Sequence, residues 1–225
     1  MTTTAPITTT PGPASAIRRP RFGFALAIVT QIAMMTGASA PSPFYPVLAA
    51  EIGFDAIVIS AVFAVYAIAL LLALLSAGSL SDHIGRRPVA IGGLLLLAGS
   101  MLLFWHADSV ATLMLARILQ GAASGVLIAA LSAAALDLAP GGRSRVAALW
   151  NALSPGIGLA LGALVSGIAL DVTGQPLLDV FAPLTVIYLV LAALFFLAPE
   201  TAPLHPGAWL SLIHISEPTR LLSIS

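Results

Sequence analysis

The chain has 225 residues, of which 59% are hydrophobic and only 8% charged, and its formal net charge is zero. A soluble domain carries about 25% charged residues, so this composition belongs to a chain that crosses a membrane several times, and the balanced charge gives no ground for a nucleic-acid or acidic partner. With no cysteine, a disulfide framework, thiolate metal sites and cysteine nucleophiles are excluded.

Residues 1–17, MTTTAPITTTPGPASAI, are mainly Thr, Pro and Ala without an apolar period. Such a segment buries too little to offset ordering entropy, so 1–21 is expected to be a disordered cytoplasmic tail. Arg18, Arg19 and Arg21 then lead into an uncharged run from Phe22 to Ala50. The run contains Ala38-Ser39-Ala40, a signal-cleavage pattern, but Pro41 follows directly and the apolar stretch continues, which argues against cleavage. About 20 helical residues at 1.5 Å each cross a hydrocarbon core of about 30 Å. On that measure the charge-free runs predict a bundle over 22–199 with six spans, about 22–49, 56–80, 88–105, 110–136, 146–170 and 180–198.

The junction charges sort by side. Arg18, Arg19, Arg21, Arg86, Arg87, Arg143 and Arg145 lie with the N-terminus, whereas Glu51, Asp55, Asp108, Asp171 and Asp179 lie on the opposite side with no base among them. The positive-inside rule therefore puts the N-terminus in the cytoplasm, in a multi-pass protein of the cell membrane. Within the spans, polar residues concentrate in the first (Thr30, Gln31, Thr36, Ser39, Ser42) and the fourth (Arg117, Gln120, Ser124, Ser132), while the third offers only Ser100 and the sixth only Thr185 and Tyr188. Lipid-exposed polar groups are costly. The order cavity-lining, intermediate, lipid-facing thus occurs twice, with span starts at 22, 56, 88 and again at 110, 146, 180. This pattern predicts an all-α membrane protein built as a three-plus-three inverted repeat.

Between the second and third spans stands Gly78-Ser79-Leu80-Ser81-Asp82-His83-Ile84-Gly85-Arg86-Arg87, a polar turn at a membrane surface. Gly78 lets another helix approach, Asp82 carries the one negative charge, Gly85 can take a left-handed cap conformation, and two arginines follow. The string resembles the signature loop of the major facilitator superfamily, G-x-L-[AS]-D-[RK]-x-G-R-[RK]; Gly78, Leu80, Ser81, Asp82, Gly85, Arg86 and Arg87 match, and His83 stands where that family usually has a base. The plainer reading is a generic positive turn. The resemblance implies the N-terminal six-span half of such a transporter, with this motif as a cytoplasmic gate and a further six-span half as its partner.

Arg117 is the only charge well inside a span, about 10 Å deep at seven residues past the start of the fourth. An arginine at a span centre costs about 2.5 to 3.5 kcal/mol, so a task is expected of it unless its long side chain snorkels to the interface. Its spacing shares one helical face with Gln120 and Ser124, beside the close-approach pair Gly121 and Gly125. Leu113, Arg117, Gln120 and Gly121 resemble the family's fourth-span motif, l-x-x-x-R-x-x-q-G, whose arginine is associated with proton or substrate handling. In the fifth span, Gly158, Gly162 and Gly167 partly resemble the antiporter motif G-x-x-x-G-P-x-x-G-G, with Ala163 in place of the proline and Ser166 in place of one glycine. Gln31 on the first span and Asn151 on the fifth are expected to reach a shared cavity. Gln31, Gln120 and Asn151 are thus candidate solute hydrogen-bonders beside Arg117, and Gly121, Gly125, Gly158 and Gly162 are candidate packing positions.

Six spans with a serine in the fourth also invite comparison with rhomboid proteases, but Ala122-Ala123-Ser124-Gly125 departs from their G-x-S-G and residues 180–198 contain no histidine to act as base. No catalytic residue, metal site or cofactor is expected, only a proton gradient as the energy source. After the sixth span, Pro199-Glu200-Thr201 resembles the ending of that span in the family, and 200–209 would begin a central linker. Residues 210–225, containing LSLIHISEPTR, resemble translated sequencing-adapter sequence. The expected function is movement of a small solute across a lipid bilayer, by proton-coupled efflux of drugs or metabolites. Symport uptake of a sugar or organic acid, or a non-transporting six-span scaffold, are the alternatives.

Overall fold

The computed structural model describes residues 13–142 and 144–198, with side chains from residue 20 onward except 77–84 and 142. Seven α-helices follow in order: α1 (Pro13–Ser39), α2 (Tyr45–Ile52), α3 (Ala56–Ile84), α4 (Arg86–Trp105), α5 (Val110–Asp137), α6 (Ser144–Val172) and α7 (Pro176–Phe195). Together α1 and α2 make the first of six stretches long and apolar enough to cross a membrane; the other five helices make one each.

The helix ends follow from local chemistry. Asp55 Oδ1 accepts from the backbone N–H groups of Ile57 and Val58 at 3.1 Å each, capping α3, and Ser109 Oγ accepts from Thr112 N at 3.2 Å to cap α5. Gly85 separates α3 from α4 with φ 101° and ψ 148°, not the left-handed helical cap expected but a more extended positive-φ geometry that only glycine takes without strain. The start of α1 also differs from expectation, because Pro13 to Arg21 are helical. Extending an existing helix adds one bond per residue fixed, so a tail that would not nucleate alone can propagate from a packed span.

The first span is broken. α1 stops at Ser39, residues Ser42–Phe44 form one 3₁₀ turn, and α2 resumes at Tyr45. Pro41 explains this: it has no N–H to give the carbonyl four residues back, that of Gly37, and its ring disfavours helical backbone in the residue before it.

α1 and α5 sit at the centre, with α6 along α1 and α3 along α5, while α4 and α7 pack against each other behind them. If the two halves are matched as α1 with α5, α3 with α6 and α4 with α7, the pairing of α3 on α5 becomes the pairing of α6 on α1. The three-plus-three relation thus appears in the helix contacts, and an odd number of spans per half inverts the second. It is imperfect, since α4 lies closely on α5, with Leu127 filling the space over Gly93, and α7 touches α1 less.

Burial corrects the expected order of exposure. α4 and α7, expected at the lipid for want of polar residues, bury 50% and 39% of their apolar windows, whereas α3 and α6 bury 6% and 28%. Bare aliphatic and aromatic side chains are as content against protein as against lipid, so a lack of polar groups does not say which they meet. Here Leu94, Leu97, Met101 and Phe104 of α4 join Phe181, Leu184 and Tyr188 of α7 in the core.

Candidate functional site

Arg117 does not snorkel. Its residue is 1% exposed, and its donors turn toward the break in the first span. Nη1 donates to the Ala38 carbonyl at 3.1 Å and to Gln120 Oε1 at 2.5 Å, Nε donates to the Tyr45 hydroxyl, and Gln120 Nε2 donates to the Gly37 carbonyl at 2.7 Å. Gly37 and Ala38 are the carbonyls that the end of α1 leaves without backbone donors, and the negative end of a helix dipole attracts a cation. The fourth-span pair therefore closes off the end of α1 from a neighbouring helix.

Around the guanidinium stand four rings. Its Cζ lies 5.3 Å from the ring centroids of Tyr45, Tyr66 and Phe104 and 5.4 Å from that of Phe63. They come from α2, α3 and α4, and their electron-rich faces offset part of the missing hydration. No carboxylate pairs with Arg117 among the described residues, and its Nη2 has no hydrogen-bond partner there. This cage was not legible in the sequence, where Phe63, Tyr66 and Phe104 read as ordinary apolar residues of three separate runs.

Gln31 and Asn151 meet as expected, at 3.0 Å between Gln31 Nε2 and Asn151 Oδ1; Gln31 Nε2 also lies 3.3 Å from Ser132 Oγ, and Asn151 Nδ2 donates to the Ser132 carbonyl at 3.4 Å. The four proposed solute-facing residues thus form two clusters rather than one. Gln31 precedes Gly37 by six residues, which separates the clusters by about 9 Å along α1. Asn151 and Ser132 are half-buried, so the second cluster reaches the surface of the bundle where α1, α5 and α6 meet, while the first is enclosed.

The glycines divide by what surrounds them. A Cβ on Gly121 or Gly125 would collide with the Tyr66 or Leu70 carbonyl of α3, and one on Gly158 or Gly162 with the Ile32 or Thr36 carbonyl of α1; Gly167 has open space. Ser39 Oγ adds a hydrogen bond to the Leu159 carbonyl at 2.8 Å across the α1 to α6 contact. On the opposite side, Tyr188 of α7 lies against Gly37 and donates to the Ala33 carbonyl at 3.0 Å.

At the far end of the bundle, Arg86 at the first residue of α4 forms an ion pair with Asp137 at the last residue of α5, and Arg87 lies 5.6 Å from the Phe196 ring. Each charge in the pair sits at the unfavourable end of its own helix, and pairing offsets both. Asp137 was missed by sequence reasoning; an acid six residues before Arg143, at the end of the fourth apolar run, was the available signal. Gly78 and Asp82 lie on the last turns of α3, where side chains fall outside the described residues.

The family described as the Major Facilitator Superfamily matches residues 27–222. Its range includes Leu210–Arg220 and so lends no support to reading that stretch as adapter sequence. Among curated proteins, no match is found.

Proposed function

We propose that this chain, which belongs to the Major Facilitator Superfamily and is therefore a multi-pass secondary transporter of a small solute rather than an enzyme, exports drugs or metabolites in exchange for protons. The N-terminus faces the cytoplasm, Gly78, Asp82, Gly85, Arg86 and Arg87 act at the cytoplasmic gate, and a further six-span half completes the pathway. The observation that carries the reading is the enclosed Arg117 and Gln120 clasp on the broken end of α1. A charge costly to bury and tied to a helix break is suited to a two-state latch, because bending the first span at Pro41 changes its contacts directly. The buried Gln31 and the half-buried Ser132 and Asn151 supply amide and hydroxyl groups for a solute. Gly158 and Gly162, which seat α6 on α1, support the exchange reading through their partial match to the antiporter pattern.

A second reading, uptake of an organic acid, is favoured by one feature: Arg117 Nη2 is a cationic donor without a partner among the described residues. Flux measurements in vesicles decide between the two. Export requires solute movement against an imposed proton gradient that collapses with an uncoupler, and uptake requires accumulation of an anion in the direction of proton entry. In the full-length protein, Arg117→Ala is expected to insert but to lose flux, with Arg117→Lys recovering a point charge without the two-donor geometry. Unchanged flux in the alanine variant would remove the latch from the mechanism.

A further inference from the structure

At the end of the bundle opposite Arg86 and Arg87, a cleft of about 300 Å³ opens between the turn leading into α2, the end of α4, the end of α6 and the start of α7. Phe44, Leu48, Trp105, Leu170 and Leu177 form the apolar part of its wall, Gln175 adds an amide, and Glu51 supplies the one carboxylate. It shares no lining residue with the Arg117 or Gln31 clusters.

Among the acids at this end, Glu51 is the one that lines the cleft. Asp55 caps α3 through two backbone N–H groups, Asp108 accepts from Thr112 Oγ1 at 3.2 Å, and Asp179 lies in the first turn of α7, where a negative charge suits the helix dipole. Glu51 sits in the last turn of α2, the end a carboxylate disfavours, and no hydrogen bond or ion pair holds it among the described residues; Asp171 is placed alike in the last turn of α6 but does not line the cleft. A carboxylate left there without a structural partner, in a cleft also lined by an indole and by aliphatic side chains, provides what an ammonium on an apolar body needs. The carboxylate neutralises the charge, the Trp105 face adds attraction for a cation, and the aliphatic side chains take the hydrocarbon.

Other ligand classes fit less well. The junctions at this end carry Glu51, Asp55, Asp108, Asp171 and Asp179 and no Lys or Arg, which disfavours an anion. A bare metal ion lacks ligands, since no three His, Cys, Asp or Glu side chains gather among the described residues.

We propose that this cleft is a binding site for a soluble amphiphilic organic cation, held by Glu51 and Trp105. The site does not depend on the transport reading, and its test reads binding rather than flux, so the failure of either is seen separately.

The probe is radiolabelled benzyltrimethylammonium, with neopentylbenzene as its uncharged isostere, on the full chain in phosphatidylglycerol nanodiscs, whose headgroups carry no ammonium. Saturable binding is expected, with the isostere competing at least about tenfold more weakly and Glu51→Gln lowering affinity about tenfold, the loss of the charge contact to the ammonium. Trp105→Leu should lower it about threefold, the share of a cation over an indole face. Absence of saturable binding, equal competition by the isostere, or unchanged affinity in Glu51→Gln would each overturn the proposal. If Glu51→Gln does not insert, the comparison of charged and neutral probes on the parent chain decides. Loss of binding when phosphatidylcholine replaces phosphatidylglycerol would assign the cleft to a lipid headgroup and overturn it as well.

Discussion

Gln120→Leu tests whether the fourth span caps the carbonyl that Pro41 leaves free. Leucine keeps the volume near that of glutamine, so packing is largely preserved while two hydrogen bonds go: Gln120 Nε2 to the Gly37 carbonyl at 2.7 Å and Arg117 Nη1 to Gln120 Oε1 at 2.5 Å. Leaving buried groups unpaired costs about 1 to 3 kcal/mol in soluble proteins, whereas hydrogen bonds between membrane helices average about 0.6 kcal/mol and reach about 1.7. Arg117 retains Ala38 and Tyr45, so the loss falls mainly on Gly37 and should amount to about 1 to 2 kcal/mol. Pro41→Ala supplies an N–H four residues after Gly37. In that background the carbonyl can be satisfied within α1, and Gln120→Leu should cost about 1 kcal/mol less. Equilibrium unfolding of the four proteins in mixed micelles by dodecyl sulfate, followed by circular dichroism, gives the double-mutant cycle. Additivity within about 0.5 kcal/mol would refute the reasoning, because it would mean that Gln120 and the proline break do not share a carbonyl.

The close helix contacts make a graded prediction: Gly121→Ala and Gly162→Ala should destabilise by about 1 to 3 kcal/mol through overlap with backbone carbonyls, while Gly167→Ala, in open space, should gain up to about 1 kcal/mol from helix propensity, in the same unfolding assay. Asp137→Asn should lower stability by less than about 1 kcal/mol, given the exposure of the pair, and the effect should shrink at high salt. The swap of Arg86→Asp with Asp137→Arg puts each charge at its favoured helix end and should match or exceed the parent; a swap less stable than the single variant would show that the pair does not set this end. For orientation, single cysteines at Asp108 and Thr173 should react with an impermeant maleimide from outside the cell and those at Ile84 and Arg143 should not, the reverse pattern inverting the topology.

The sequence alone was enough to locate the spans, because crossing a membrane is decided by a sum of transfer energies over about 20 consecutive residues. Predicted runs such as 110–136 became α5, Val110–Asp137, with little change. It was also enough to single out Arg117 and Gln120, since a polar group in an apolar run is visible without knowing its neighbours, and to pair Gln31 with Asn151 as a possibility. Which helices would be buried could not be read in this way. Lipid tails and apolar side chains offer Leu97 or Phe181 nearly the same surroundings, so hydrophobicity does not separate a core helix such as α4 from an exposed one such as α3. Nor did the sequence reveal that the carbonyls freed by Pro41 would meet Arg117, or that rings from α2, α3 and α4 would enclose it. Those contacts join residues 38, 45, 63, 66, 104 and 117, which come together only when α5 settles against α1 and α3 through close helix packing. Packing of that kind depends on the shapes of two surfaces at once, which no single stretch of chain encodes.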